Sequence, residues 1–272
     1  MIRSIISAIG AITAAAAAPA QMAPPPGSPP VRSIEPSKVI LVGDSTTAVI
    51  GGWGPAFCAD HVTSFLACVN LARGGRSSGN YRWEGSWKIA LSEMRVPGYR
   101  TTWVLIQFGH NDQPGKPGRS TDLATGYPEN LRRYVREARA AGAVPILVTP
   151  LTRRIFADGR LVDDLAPWAA ATRRVATELK VPLLDLHADS RAVVEALGPA
   201  VSQMFAQLPP GSPPAGPGAA AAGTEVQVQP LATPRLSFDN THLGKQGAAV
   251  FATIVTKELA QAVPDMRPLL VP

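Results

Sequence analysis

Five short apolar runs punctuate the chain: Lys38–Gly43, Ala67–Ala72, Thr102–Phe108, Val144–Thr149 and Val181–Leu186. The first is mostly β-branched and ends abruptly in Gly43-Asp44-Ser45-Thr46, as a buried parallel strand running into a tight turn does. Helices are expected between these runs, over Trp53–His61, Trp83–Met94, Glu129–Ala141, Pro167–Leu179 and Gly244–Ala262. Gly142 stands where a glycine closes a helix, and Pro167 occupies a first turn. Val250, Phe251, Ile254, Val255 and Leu259 give the last helix one apolar face. Strands alternating with helices predict a parallel sheet with right-handed crossovers and helices on both faces. No internal repeat is present.

Three stretches break this rhythm. Residues 1–20 read as an export signal: Arg3, an apolar run from Ile5 to Ala17, then Ala18-Pro19-Ala20 as a small-residue cleavage site. The expectation is a secreted or periplasmic protein with no stable membrane insertion after cleavage; a retained anchor is the alternative. Residues 21–35, rich in proline, read as an extended tether. The domain proper is expected over residues 36–265, interrupted at 207–234 by a Pro/Gly/Ala tract that cannot bury enough apolar surface to order itself.

Composition narrows the picture. The chain has 272 residues, 46% hydrophobic and 17% charged, enough for one sizeable α/β domain and too discontinuous for a multi-span membrane protein. Loss of the first 20 residues would remove only Arg3 and take the net charge from +6 to +5. The basic residues are scattered rather than striped, so a solvated surface is expected and no nucleic acid partner. Cys58 and Cys68 have no metal-site spacing; a local disulfide and two buried thiols both remain open.

Candidate chemistry concentrates at strand ends, where open α/β sheets bind ligands. Ser45 follows the first strand, and its hydroxyl needs a base oriented by a third group to act as nucleophile. Asp239 and His242, three residues apart, can supply both: the carboxylate accepts Nδ1–H and leaves Nε2 facing outward. His61, His110 and His187 are the other histidines. Oxyanion donors are expected from the backbone N–H of Ser45, the N–H of Gly75 and the side-chain amide of Asn111. A rival is Gly75-Arg-Ser77-Ser-Gly79, which fits a nucleophile-elbow pattern, but no apolar helix follows directly and no His-Gly-Gly precedes it. Arg76, Tyr81 and Trp83 are candidate substrate contacts. The tryptophans, Trp53 included, are equally suited to core packing. Asp44 is expected to hold its turn through nearby backbone amides.

Gly43-Asp44-Ser45, Gly75, Gly109-His110-Asn111-Asp112 and Asp239-Asn-Thr-His242 occur in the order of the four blocks of the SGNH (GDSL-type) hydrolases, which the chain resembles over about residues 38–262. Gly-Asp-Ser-Thr, Gly-Arg-Ser-Ser, Phe-Gly-His-Asn-Asp, Asp-Asn-Thr-His and the Pro150–Arg154 segment are similar to the rhamnogalacturonan acetylesterase branch. The resemblance implies a three-layer α/β/α sandwich on a five-stranded, parallel, flavodoxin-like sheet. It implies Ser45 as nucleophile, His242 as base, Asp239 as its orienter and Ser45, Gly75 and Asn111 as oxyanion donors, with no metal or other cofactor. The insert at 207–234 departs from the pattern.

The reading is therefore a monomeric serine esterase that removes O-acetyl groups from a pectin- or rhamnogalacturonan-type polysaccharide through an acyl-enzyme. An SGNH lipase or thioesterase acting on a lipid or small acyl ester is the alternative; it would want an apolar groove, whereas the Arg73–Trp83 loop is polar. A non-catalytic glycan binder would have no use for the nucleophile and base.

Overall fold

The computed structural model of the protein describes residues 35–208 and 239–272. The expected signal at 1–20, the tether up to residue 34 and the insert from residue 209 onward lie outside the described residues.

The sheet forms from β1 (Ser37–Gly43), β2 (Leu66–Asn70), β3 (Thr102–Gln107), β4 (Val144–Val148) and β7 (Leu183–Leu184). Its order is β2-β1-β3-β4-β7, and every pairing is parallel. Successive strand side chains point to opposite faces, and that alternation sorts the apolar runs into two cores. Val39, Leu41, Trp103, Leu105, Ile146 and Val148 enter one. Ile40, Val42, Val104, Ile106 and Leu147 enter the other. Burying one such side chain stabilises the fold by roughly 1.5–3 kcal/mol, so a strand apolar at every position is covered on both sides.

Helices supply the covers. On the first face lie α1 (Gly54–Asp60), α6 (Leu186–Ser202) and α7 (Lys245–Ala262), contributing Phe57, Val194, Phe251, Val255 and Leu259. On the second lie α2 (Asn80–Trp83), α3 (Ser86–Met94), α4 (Gly126–Ala140) and α5 (Ala166–Leu179), contributing Tyr81, Trp87, Tyr134, Val135 and Val175. The result is the expected three-layer α/β/α sandwich. Cys58 of α1 and Cys68 of β2 form a disulfide, which closes the question the sequence left open. No described helix is long and apolar enough to cross a membrane.

Four local features differ from expectation. The fifth strand is only Leu183–Leu184, because Asp185 immediately caps α6. Helix α6 was not anticipated; Gly198 (φ 70°, ψ 178°) and Pro199 break its periodicity. A small hairpin pairs β5 (Phe156–Ala157) with β6 (Arg160–Leu161) across Asp158 and Gly159, both at positive φ as a primed turn requires. Helix α4 also starts at Gly126 rather than Glu129, since Pro128 fits its first turn.

Candidate active site

Ser45 stands one turn beyond β1, and the chain folds tightly beneath it. Thr47 N–H and Ala48 N–H donate to Asp44 O at 3.2 and 3.1 Å. Asp44 Oδ1 accepts the Thr46 amide at 2.9 Å and the Thr46 hydroxyl at 2.8 Å, so this side chain holds the turn as expected. Gln107, at the end of β3, receives the Thr47 hydroxyl and the Trp53 indole N–H and donates to Thr149 O. Gly43 has no room for a side chain: a Cβ would lie 2.7 Å from Gln107 O. Trp53 is fully buried in this support, a packing residue.

The second element is the loop before α7. His242 Nδ1 lies 2.5 Å from Asp239 Oδ2. Asp239 Oδ1 accepts the backbone N–H groups of Thr241 and His242 at 2.8 and 2.6 Å, so one carboxylate shapes the loop and orients the ring. Burial pushes the Asp239 carboxyl up, but the His242 ring and the two amides outweigh it and hold it well below the usual range. His242 Nε2 makes no hydrogen bond among the described residues, and none joins it to Ser45 Oγ. Gly51 links the two elements: Leu243 N–H donates to Gly51 O at 2.8 Å. At φ +83°, Gly51 packs so closely that a Cβ would lie 3.1 Å from imidazole Cδ2. The segment leaving Ser45 thus runs directly against the His242 ring.

The loops after β2 and β3 form the third element. Gly75 adopts φ +76°, a conformation that exposes its backbone at little steric cost. Asn111 Nδ2 donates to Arg76 O at 3.1 Å, bringing the side-chain amide beside the Gly75 loop. Asp112 fastens the two loops: its carboxylate accepts the Ser78 hydroxyl at 2.6 Å, the Ser78 amide at 3.1 Å and the Thr121 hydroxyl at 2.8 Å. Burial raises its carboxyl to about 6 despite these donors.

Other expected residues fall elsewhere. Ser77 is fully buried, with its N–H and hydroxyl on Asn80 Oδ1, so it starts a helical turn instead of presenting a nucleophile. Tyr81 is a correction: its ring is buried in the core and its hydroxyl donates to Leu71 O, so it offers no surface to a sugar. Arg76 is held by Glu84 through both carboxylate oxygens, at 3.1 and 2.9 Å. Trp83 alone of the three is open, 73% exposed. His61 bonds Val271 O, and His187 Nε2 bonds Asp163 Oδ1. Among the described residues no group of three His, Cys, Asp or Glu side chains is placed to hold a metal.

Sequence reasoning missed Gly51 and the hydrogen bonds that buried Arg154 donates to Asp239 O and His242 O. The Gly51-Gly52 pair soon after Ser45 was the available signal for the first. For the second there was only an arginine in the Pro150–Arg154 segment.

Comparison with known proteins agrees with this arrangement. Residues 41–250 match the GDSL-like Lipase/Acylhydrolase family. Rhamnogalacturonan acetylesterase RhgT of Bacillus subtilis (strain 168) is 33% identical over 236 residues, 84% of this chain and 91% of that protein. Probable rhamnogalacturonan acetylesterase YesY of the same organism is 36% identical over 157 residues, 57% of this chain and 69% of that protein. The crystal structure of protein YXIM from Bacillus subtilis superposes with a TM-score of 0.62 at 21% identity. That match covers 84% of this chain and 57% of the larger protein. With an α/β sheet that delivers Gly-Asp-Ser to its rim and an Asp–His pair beside it, the chain belongs to the GDSL-like lipase/acylhydrolase family.

Proposed function

We propose that this carboxylic ester hydrolase removes O-acetyl groups from a plant cell-wall polysaccharide of the pectin or rhamnogalacturonan type, through an acetyl-enzyme on Ser45. The observation that carries the mechanism is the 2.5 Å bond from Asp239 to His242 Nδ1, which directs Nε2 away from the carboxylate. Nε2 takes the Ser45 proton as Oγ attacks the acetyl carbonyl. Developing negative charge on the carbonyl oxygen is met by the N–H groups of Ser45 and Gly75 and by Asn111 Nδ2. Collapse breaks the ester C–O bond, and the imidazolium returns its proton to the leaving sugar hydroxyl. Water, deprotonated by the same imidazole, then attacks the acetyl-enzyme and releases acetate and Ser45. In unliganded enzymes the base-to-nucleophile bond is often long and tightens only with substrate.

The substrate class is supported by the two rhamnogalacturonan acetylesterases that resemble the chain at 33% and 36% identity. The exposed Trp83 beside Gly79 offers a flat face on which a sugar ring can stack. Secretion or periplasmic residence is supported by the Arg3 to Ala20 pattern and by the Cys58–Cys68 disulfide, a bond that persists in oxidising compartments.

Acetate release from acetylated rhamnogalacturonan fragments and from acetylated xylan tests the assignment. Faster release from the first, abolished in Ser45→Ala, is expected. Ser45-dependent hydrolysis of a soluble acetyl ester without release from either polymer would keep the mechanism and reject the substrate.

A further inference from the structure

Arg154 carries a positive charge into the protein interior, where it is 1% exposed. Its guanidinium is spent on main-chain carbonyls of the loop that carries the Asp239–His242 pair. Nη2 donates to Asp239 O at 2.9 Å and to His242 O at 2.8 Å, and Nη1 approaches Thr241 O at 3.4 Å. The backbone N–H of Arg154 donates to Asn240 O at 2.8 Å, so one residue reaches the carbonyls of all four loop residues. Gln203 closes the arrangement, its Nε2 donating to Arg154 O at 3.0 Å and to Asn240 Oδ1 at 2.8 Å.

A buried guanidinium is costly to desolvate, and burial lowers its pKa to about 10. Carbonyl dipoles that converge on one side repay part of that cost, and their convergence dictates the loop's shape. The loop has no regular secondary structure of its own. The Asp239 carboxylate organises it at short range through the Thr241 and His242 amides, and the same group must hold the imidazole.

We infer that Arg154 is a positioning residue: by gripping the carbonyls of Asp239, Thr241 and His242 it fixes the loop and lets the Asp239 carboxylate orient His242 Nε2 toward Ser45. This rests on the proposed role of His242 as base. Arginine suits the task because its planar fork spans several acceptors at once, whereas lysine is a point donor on a flexible stem. Misplacing a reacting group by about 1 Å is enough to cost about 10²-fold in rate.

The test uses the full chain with a soluble acetyl ester as substrate, in Arg154→Lys, Arg154→Met and Arg154→Ala. Thermal melts establish folding, and proton NMR follows the low-field imidazole N–H signal of the Asp239–His242 bond. Folded Arg154→Met should lose about 10²-fold in kcat with KM within about threefold, and should lose or broaden the low-field signal. Arg154→Lys should retain part of the rate. Guanidinium ion, added below its unfolding range, should partly restore Arg154→Ala. Should Arg154→Met not fold, the lysine variant decides: reduced kcat at unchanged KM with a weakened signal is the expected result. A folded variant with wild-type kcat and an intact signal would overturn the inference, as would a loss confined to KM. His242→Asn is measured alongside. Wild-type activity in that variant would reject His242 as base, while the NMR signal in the Arg154 variants would still report whether Arg154 orients the ring.

Discussion

Two aspartate–histidine pairs belong to the segments that build the site, and they are built differently. Asp239 and His242 share a 2.5 Å bond, with side chains 17% and 10% exposed. Asp44 and His110 stand 3.3 Å apart, Oδ2 to Nδ1, with side chains 0% and 3% exposed. Asp44 precedes Ser45 and His110 precedes Asn111, so the buried pair packs between the segments of two candidate oxyanion donors. Burial depresses the His110 pKa, against the pull of Asp44. Burial pushes Asp44 up, yet His110 and the Thr46 donors outweigh it and hold the carboxyl below its usual range. Proximity of a histidine to a carboxylate is therefore not what makes a base. A 2.5 Å bond to Nδ1, against 3.3 Å in the second pair, and a ring packed against Gly51 in the segment that leaves Ser45 are what separate the first pair from the second.

The largest effects should come from removing Ser45 or breaking the Asp239–His242 pair. Ser45→Ala and His242→Ala should each lower kcat by about 10⁵–10⁶, and Asp239→Asn by about 10⁴, with melting temperature little changed for His242→Ala. His110→Ala should invert that pattern. Removing the ring beside the buried Asp44 carboxylate leaves that oxygen facing a cavity, at a cost of about 1–3 kcal/mol seen in denaturant melts, while activity of the folded fraction falls far less than in His242→Ala. Comparable rate losses in the two variants would erase the distinction.

The oxyanion side gives intermediate effects. Asn111→Ala should lose about 10²–10³ in kcat. Gly51→Ala, forced to accept φ +83° and a Cβ within 3.1 Å of the imidazole, should lower kcat while leaving KM nearly unchanged.

Asp112 gives the smallest effect, and one that depends on pH. Its folded pKa, about 6, lies above the ordinary value of 3.8. The folded state therefore keeps a proton that the unfolded chain releases, and this contribution is complete below about pH 4 and disappears as pH rises through 6. Relative to Asp112→Asn, the wild type should lose on the order of 2 kcal/mol between pH 4 and 6.5, read from melts at each pH.

How much of this was legible follows the same division. The β1 turn is local: an apolar run, then Gly-Asp-Ser, is enough to place Ser45 at the sheet rim. Asp239 and His242 were legible because three residues separate them and one turn joins them. Residues that act across long sequence distances were not. Arg154 reaches a loop 85 to 88 residues away, and nothing in the local pattern of an arginine reveals that its partners are carbonyls. Tyr81 was misplaced for the converse reason: a polar loop precedes it, yet its ring turns inward to pack with Phe108. Helix α6 was hidden because Gly198-Pro199 interrupts its apolar period.

The central claim is that Ser45, activated by His242, becomes acylated. Labelling with a fluorophosphonate followed by peptide mapping tests it most directly. The account predicts one adduct on Ser45, absent in Ser45→Ala, slowed by orders of magnitude in His242→Asn and unaffected in Ser77→Ala. An adduct on Ser77, or labelling of Ser45 at the wild-type rate without His242, would contradict it.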